Sequence, residues 1–286
     1  ETGDLDTSIG LDGLSRIRIN AYVSNEKRCL TLRILPDNLP KWQDLGLPQS
    51  FIDLTSKERG LVLCTGPTGS GKSTTLAAFI NCILETQKRH ILTIEDPIEF
   101  EFNHSKTSII HQREVKRDTN SFASALKAAL REDPDVIYIG EMRDLETIQL
   151  AITAAETGHL VLGTLHTSSA AKTVERIVDV FPGDQQEQAR LQVSTSLAGI
   201  MSQTLCKNTK GKRSLAYELL INTSAIGNLI RERKVSQIYS QLQTGSKEGM
   251  NTLEQCLQNL VDNGQINIEE ALSKASNPKA LNGVEN

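Results

Sequence analysis

Apolar and polar positions change their period along this chain. Over the first 35 residues they alternate as strand residues do: Ile17, Ile19 and Tyr22 in one stretch, Leu30, Leu32 and Ile34 in another, with Arg16, Arg18 and Arg33 interleaved. So short a stretch cannot close a core of its own. Residues 1–35 are therefore read as the last part of a small α/β or β domain whose beginning lies outside a sequence that starts at Glu1 rather than Met. Pro36-Asp37-Asn38-Leu39-Pro40 then breaks the pattern, and residues 36–48 read as a linker. Beyond it, short apolar runs alternate with helical periods. Leu61–Thr65, His90–Ile94, Ser108–Ile110, Val136–Ile139 and Leu160–Leu165 read as buried strands, and Ser73–Glu85, Asn120–Arg131, Leu145–Thr157 and Ala170–Phe181 as the helices between them. Continuous apolar strands separated by helices predict an α/β fold with a mostly parallel sheet covered on both faces. From Gln185 onward the pattern is mainly helical apart from a strand at Leu215–Ile221.

Composition narrows the class. The 286 residues carry 38% hydrophobic and 23% charged residues and a formal net charge of −4. That balance suits a globular chain and opposes one built to track nucleic acid, which needs a basic face. No apolar run approaches the roughly 18 residues of a membrane span, and no secretory leader opens the chain. The five cysteines, Cys29, Cys64, Cys82, Cys206 and Cys256, form no CxxC pair and lie near no histidine at ligand spacing. Neither a zinc site nor a disulfide framework is indicated, and a reducing, cytoplasmic compartment is expected.

The strongest chemical signal is Gly66-Pro67-Thr68-Gly69-Ser70-Gly71-Lys72-Ser73, a complete GxxxxGK[ST] between a strand run and a helical run. Glycines let consecutive backbone N–H groups turn inward around a phosphate. The helix after them adds its unpaired N-terminal N–H groups and the positive end of its dipole. Lys72 is positioned to reach the β- and γ-phosphates, and the Ser73 hydroxyl to ligate Mg²⁺. The chain is expected to bind ATP with Mg²⁺.

Hydrolysis needs carboxylates as well, one near the metal and one near the attacking water. Two acidic segments end predicted strands, where open α/β sheets hold their ligands. They are Ile94-Glu95-Asp96-Pro97-Ile98-Glu99 and Ile139-Gly140-Glu141, the second with Arg143 and Asp144 beyond it. The latter is similar to a Walker B strand, except that Gly140-Glu141 stands where an aspartate is usual. A further strand opens at His159 and ends in Thr164-Leu165-His166-Thr167.

Together these segments resemble the secretion ATPase superfamily of type II and type IV systems, and within it the pilus-retraction ATPases. The matching features are Gly66–Thr74, Ile91–Phe100, Gln112-Arg113-Glu114-Val115, Ala129–Asp135, Gly140–Asp144, and the histidine box from Ala155 to Thr167. The resemblance covers essentially the whole chain. It implies a PAS-like N-terminal domain, here residues 1–35, joined to a RecA-like ATPase domain over residues 49–286 that ends in helices. It implies a cytoplasmic homo-hexamer, peripheral at the inner membrane, that powers pilus retraction and twitching motility. The expected partners are an inner-membrane pilus platform protein and a paralogous retraction ATPase. By the same resemblance, Gly66, Thr68, Gly69, Ser70, Gly71, Lys72, Ser73 and Thr74 bind the nucleotide. Glu95 is the general base, Glu141 supports the metal, and His166 senses the γ-phosphate. Arg16 or Arg18, together with Arg33, approach the nucleotide from the N-terminal domain, and Arg59 is a weaker candidate of the same kind.

One departure stands out. The retraction subgroup reads Ala-Ile-Arg-Asn-Leu-Ile-Arg-Glu where this chain has Ala225-Ile226-Gly227-Asn228-Leu229-Ile230-Arg231-Glu232, with glycine in place of the first arginine. The tetracysteine zinc loop usual in assembly and secretion members does not occur. Lys207–Arg213 and Arg231–Lys234 read as solvated basic clusters. The alternatives left open are a pilus-assembly or type II secretion ATPase, a RecA-like nucleic-acid motor, and an ATP sensor without turnover. Low aromatic content, 4%, opposes the nucleic-acid motor because single-strand grooves need stacking rings.

Overall fold

The computed structural model describes residues 4–11, 14–34 and 38–281. Strands β1 (Leu5–Leu11), β2 (Leu14–Ser24) and β3 (Lys27–Ile34) form a three-stranded antiparallel sheet in the order β1-β2-β3. Because strand side chains alternate between faces, the register sorts them cleanly. Ile17, Ile19 and Ala21 stand opposite Ile34, Leu32 and Leu30, whereas Arg18 stands opposite Arg33. One face is therefore apolar and the other carries arginines. Tyr22 lies on the arginine face, since it is four residues from Arg18.

The larger sheet contains β4 (Gly60–Thr65), β5 (His90–Glu95), β6 (Ile109–Glu114), β7 (Val136–Ile139), β8 (Leu160–Leu165), β9 (Leu197–Lys207) and β10 (Arg213–Ile221). Their order is β10-β9-β4-β8-β7-β5-β6, and every neighbouring pair is parallel except β9 with β10. The expectation of a mostly parallel sheet is met. The helices are α1 (Gln49–Ile52), α2 (Lys72–Thr86), α3 (Phe122–Ala129), α4 (Leu145–Glu156), α5 (Ala170–Asp179), α6 (Gln186–Ser196), α7 (Ser224–Arg231), α8 (Ile238–Thr244), α9 (Leu253–Asp262) and α10 (Ile268–Lys274).

Alternation along the buried strands splits the core in two. Val62, Cys64, Tyr138 and Leu162 face α1 and α2, whereas Leu61, Leu63, Ile137 and Val161 face α4, α5 and α6. Both faces are apolar, which is why these strands read as unbroken hydrophobic runs. Cys206, Ala216, Cys256, Leu257 and Ile266 make a third cluster that fastens the C-terminal helices to the end of the β9–β10 hairpin.

Two readings are corrected. The strand expected at Ser108–Ile110 runs from Ile109 to Glu114. More consequential, the region after Gln185 is not mainly helical up to Leu215, because Leu197–Lys207 forms an eleven-residue strand beside β4. Its mixture of Ala198, Gly199, Ser202 and Gln203 has little intrinsic strand signal; pairing on both edges supplies what propensity does not. Gly227, where the subgroup has arginine, has a packing role. It is buried in α7, and a Cβ there would stand 3.2 Å from the Ser194 carbonyl oxygen, so α7 packs closely on the end of α6.

The α1–α2 contact rests on Phe51 and Phe79, both fully buried, with ring centroids 5.2 Å apart. Phe79→Ala is expected to destabilise the fold by about 3–5 kcal/mol, because the cavity left between α2 and the sheet cannot collapse. Chemical denaturation of the two proteins measures it.

Candidate nucleotide site

Parallel strands in the order β4, β8, β7, β5 bring four segments to one edge of the sheet: the loop after β4, His166 after β8, Glu141 after β7, and Glu95 ending β5. They line a cleft of about 620 Å³ whose opposite wall carries Arg18 and Arg33 from the arginine face of the small sheet. The side chain of Arg16 lies outside the described residues. Arg59 is elsewhere: it precedes the start of β4, at the far end of the sheet, and faces a separate cavity with Lys57 and Glu156.

The loop is built for backbone display. Gly66, Gly69 and Gly71 have φ of +142°, +79° and +89°, values that favour glycine. A Cβ on Gly66 would meet the Gln203 carbonyl oxygen at 2.3 Å. Gly71 serves as the N-cap of α2 without any side-chain cap, so N–H groups of the first turn remain open to an external acceptor. Lys72 is 8% exposed, and its ammonium donates to the carbonyl oxygens of Gly66 at 2.8 Å and Pro67 at 3.1 Å. Burial lowers its pKa, opposed by Cys64, Glu141 and Glu99. Ser70 Oγ, buried in the same loop, has no hydrogen-bond partner among the described residues. Left-handed glycines, open first-turn N–H groups and an orphaned hydroxyl fit an anionic, oxygen-rich ligand.

Two helix caps set the adjoining loops. Asp144 caps α4 by accepting from Thr147 N and Thr147 Oγ1, each at 2.8 Å, and Ser169 caps α5 by accepting from Lys172 N. Between those anchors, His166 Nε2 and Glu141 Oε1 lie 2.9 Å apart, and Arg143 Nε also donates to that oxygen. Both contacts use one carboxylate oxygen and leave Oε2 for another ligand. The glycine before Glu141 has a steric reason: a Cβ on Gly140 would stand 3.2 Å from the Ile94 carbonyl oxygen and 3.3 Å from Glu95 Cα. Glycine thus lets the ends of β7 and β5 approach closely.

Glu95 is 5% exposed, and its Oε1 accepts from Thr93 Oγ1 at 2.7 Å and from Gln112 Nε2 at 3.2 Å. Burial pushes its pKa up to about 7; the hydrogen bonds from Thr93 and Gln112 oppose the rise, and nearby Glu99 adds to it. A carboxyl poised near neutral pH suits proton abstraction.

Other motif residues serve architecture. Gln112 ties the acidic segment down through Phe100 O and Phe102 N, Glu114 accepts from Ile98 N, and Asp135 accepts from His90 N at the far end of β5. His159 closes the end of α4 through Ala154 O. The sequence reading missed Gln203 and Leu205 on β9 and also Tyr138, and it assigned Arg213 to a solvated cluster. Leu205, Tyr138 and Arg213 line the cleft, and Gln203 braces the loop. Only the placement of β9 beside β4, and of β10 beside β9, could have revealed three of the four.

The type II/IV secretion system protein family matches residues 4–278. The type IV pilus retraction ATPase PilT of Pseudomonas aeruginosa is 52% identical over 276 residues, covering 96% of this chain and 80% of that protein. A twitching motility protein of Neisseria gonorrhoeae is 53% identical over 279 residues, covering 97% and 74%. A crystal structure of the pilus retraction motor PilT with bound ADP superposes with a TM-score of 0.93 at 51% identity, covering 99% of this chain and 80% of that one.

The raised pKa of Glu95 fixes the sign of its pH dependence. Burial raises the pKa, so the contribution to stability is present below about 4.5 and is lost as pH rises through about 7. Catalysis as a base needs the opposite, ionised form. ATP turnover is expected to rise with pH up to about 7 and then level off. Glu95→Gln should abolish turnover while raising the melting temperature relative to wild type at pH 8, a difference that fades near pH 5.

Proposed function

The chain belongs to the type II/IV secretion system protein family, and on that premise we propose that it is an ATP-hydrolysing hexameric motor that powers type IV pilus retraction. The observation that carries the reading is the cleft itself, where Lys72, Glu95, Glu141, His166, Arg18 and Arg33 meet. Two relatives about half identical to this chain, a retraction ATPase and a twitching motility protein, support the cellular role.

The roles follow from the chemistry. Backbone N–H groups of residues 66–74 and the Lys72 ammonium hold the phosphates. Ser73 and Glu141 offer hard oxygen donors that would hold Mg²⁺, which when bound neutralises charge on the β- and γ-phosphates. Glu95 takes the proton of the attacking water, His166 senses the γ-phosphate beside Glu141, and Arg18 and Arg33 add positive charge from the small sheet. Arginines on a separate sheet make a natural coupling device, because they gain contacts when the walls close on a triphosphate and lose them after hydrolysis. We take residues 1–35 as the last part of a PAS-like domain, 36–48 as the linker and 49–286 as the RecA-like domain. Among the described residues no helix is long and apolar enough to cross a membrane. A cytoplasmic ring docked on an inner-membrane platform protein, alone or with a paralogous ATPase, is the assembly we propose.

Lys72→Ala removes the only ammonium in the loop. Nucleotide affinity should fall by about tenfold or more, the scale of one charge-assisted contact of about 1.5–3 kcal/mol, and turnover should disappear. Pili in a strain carrying only this variant should extend without retracting, as followed by a twitching assay; normal twitching would overturn the motor assignment. Glu141→Gln should retain ATP binding but require more Mg²⁺ for half-maximal activity than wild type. An unchanged Mg²⁺ titration would remove Glu141 from the metal site.

A further inference from the structure

The hairpin β9–β10 carries none of the catalytic groups proposed for the cleft, yet one of its side chains grips the phosphate loop. In the parallel pairing, Cys64 stands level with Met201 and Thr65 with Ser202, where β4 ends. The two hydroxyls of that last pair, Thr65 Oγ1 and Ser202 Oγ, lie 2.5 Å apart. Strand β9 runs on beyond this point to Lys207, so Gln203 stands alongside the first glycine of the loop. Gln203 is 4% exposed. Gln203 Nε2 donates to the Ser70 carbonyl oxygen at 2.6 Å, and its Oε1 accepts from the Cys64 thiol at 3.1 Å.

We infer that Gln203 is a positioning residue that presets the phosphate loop for nucleotide by fixing the Ser70–Gly71 peptide. A peptide unit is planar and trans, so its C=O and N–H point in opposite directions. Holding the Ser70 carbonyl toward β9 aims the Gly71 N–H away from β9. Among the described residues that N–H has no backbone acceptor. Without this anchor the peptide could rotate and present a carbonyl oxygen to a phosphate, which repels it. A Cβ on Gly71 would lie 3.3 Å from Gln203 Nε2 and would crowd the amide, so glycine there leaves the grip unhindered.

The amide is suited to this place because it both donates and accepts. Its orientation is set by its partners: reversed, Oε1 would face the Ser70 carbonyl oxygen, acceptor against acceptor. The Cys64 thiol supplies the proton on the other side, and burial holds it protonated by pushing its pKa up to about 12, with Lys72 opposing. Cys64 therefore remains a donor throughout the physiological range.

This inference rests on the reading of residues 66–74 as the nucleotide loop, and the test separates the two. ATP and ADP affinities of wild type, Gln203→Met and Gln203→Glu are measured by fluorescent-nucleotide displacement between pH 6 and pH 8.5, with turnover and melting temperature alongside. If wild type fails to bind nucleotide, the loop assignment itself falls. With wild-type binding intact, Gln203→Met, which keeps the volume and loses the donor, is expected to bind about tenfold more weakly, the scale of one buried hydrogen bond lost. KM should rise by a similar factor while kcat falls less than about threefold. Gln203→Glu should bind more weakly still at pH 8.5. Relative to wild type at each pH, it should recover toward pH 6, where a protonated carboxyl regains a donor for Ser70. Wild-type affinity in both variants overturns the inference, as does a Gln203→Glu deficit that does not change with pH. Should Gln203→Glu not fold, Gln203→Met decides through the split: a loss confined to kcat, or one that follows a fall in melting temperature, overturns it.

Discussion

Parallel pairing of β4, β8, β7 and β5 in that order is the constraint on which the rest depends. Parallel strands end on the same edge, so each strand delivers its loop to one line, spaced by about 4.8 Å per strand. The phosphate loop, His166, Glu141 and Glu95 become neighbours for that reason alone, although 100 residues separate Gly66 from His166. No side chain has to reach far. The loops are stiffened at their exits: α2 begins directly after the glycines, the Asp144 cap lies beyond Glu141, and the Ser169 cap lies beyond His166.

Rigidity on one wall contrasts with the other. The sheet edge is backed by two fully buried apolar layers, whereas the arginine wall belongs to a small antiparallel sheet whose apolar face keeps Leu30, Leu32 and Ile34 more than half exposed. The cleft holds charges of both signs, since Arg18 and Arg33 line it together with Glu95, Asp96 and Glu99. A bound triphosphate changes that balance by several charges, which is the kind of local event able to bias a two-position arrangement.

Buried polar groups divide by purpose. Glu95 is desolvated at the edge of the cleft, and burial pushes its pKa up to about 7. Glu218 is likewise buried, with its pKa pushed up to about 7 by burial, but it accepts from Ala170 N at 2.7 Å and so braces the start of α5 behind the His166 loop. Gln203 does comparable work for the phosphate loop. Both bracing residues come from the β9–β10 hairpin, which borders the site without containing its reactive groups.

The chain's own pattern was enough to reveal the parallel α/β class, the boundaries of β7 and β8, the phosphate loop, and Glu95, Glu141 and His166 at strand ends. Those features are local: an apolar run, a glycine spacing, an acid after a strand. What the tertiary structure alone decided was which strands are neighbours. That placed Arg59 at the wrong end of the sheet for the cleft and brought Arg213 into it. It also made a strand of Leu197–Lys207, whose residues have weak strand preference and acquire it from pairing with β4 and β10. Gly227 and Gly140 obey the same logic, since what a side chain there would crowd is a carbonyl oxygen 3.2 Å away on a distant segment, Ser194 or Ile94. Sequence spacing encodes the chemistry a segment can perform, but long-range pairing determines what that segment touches.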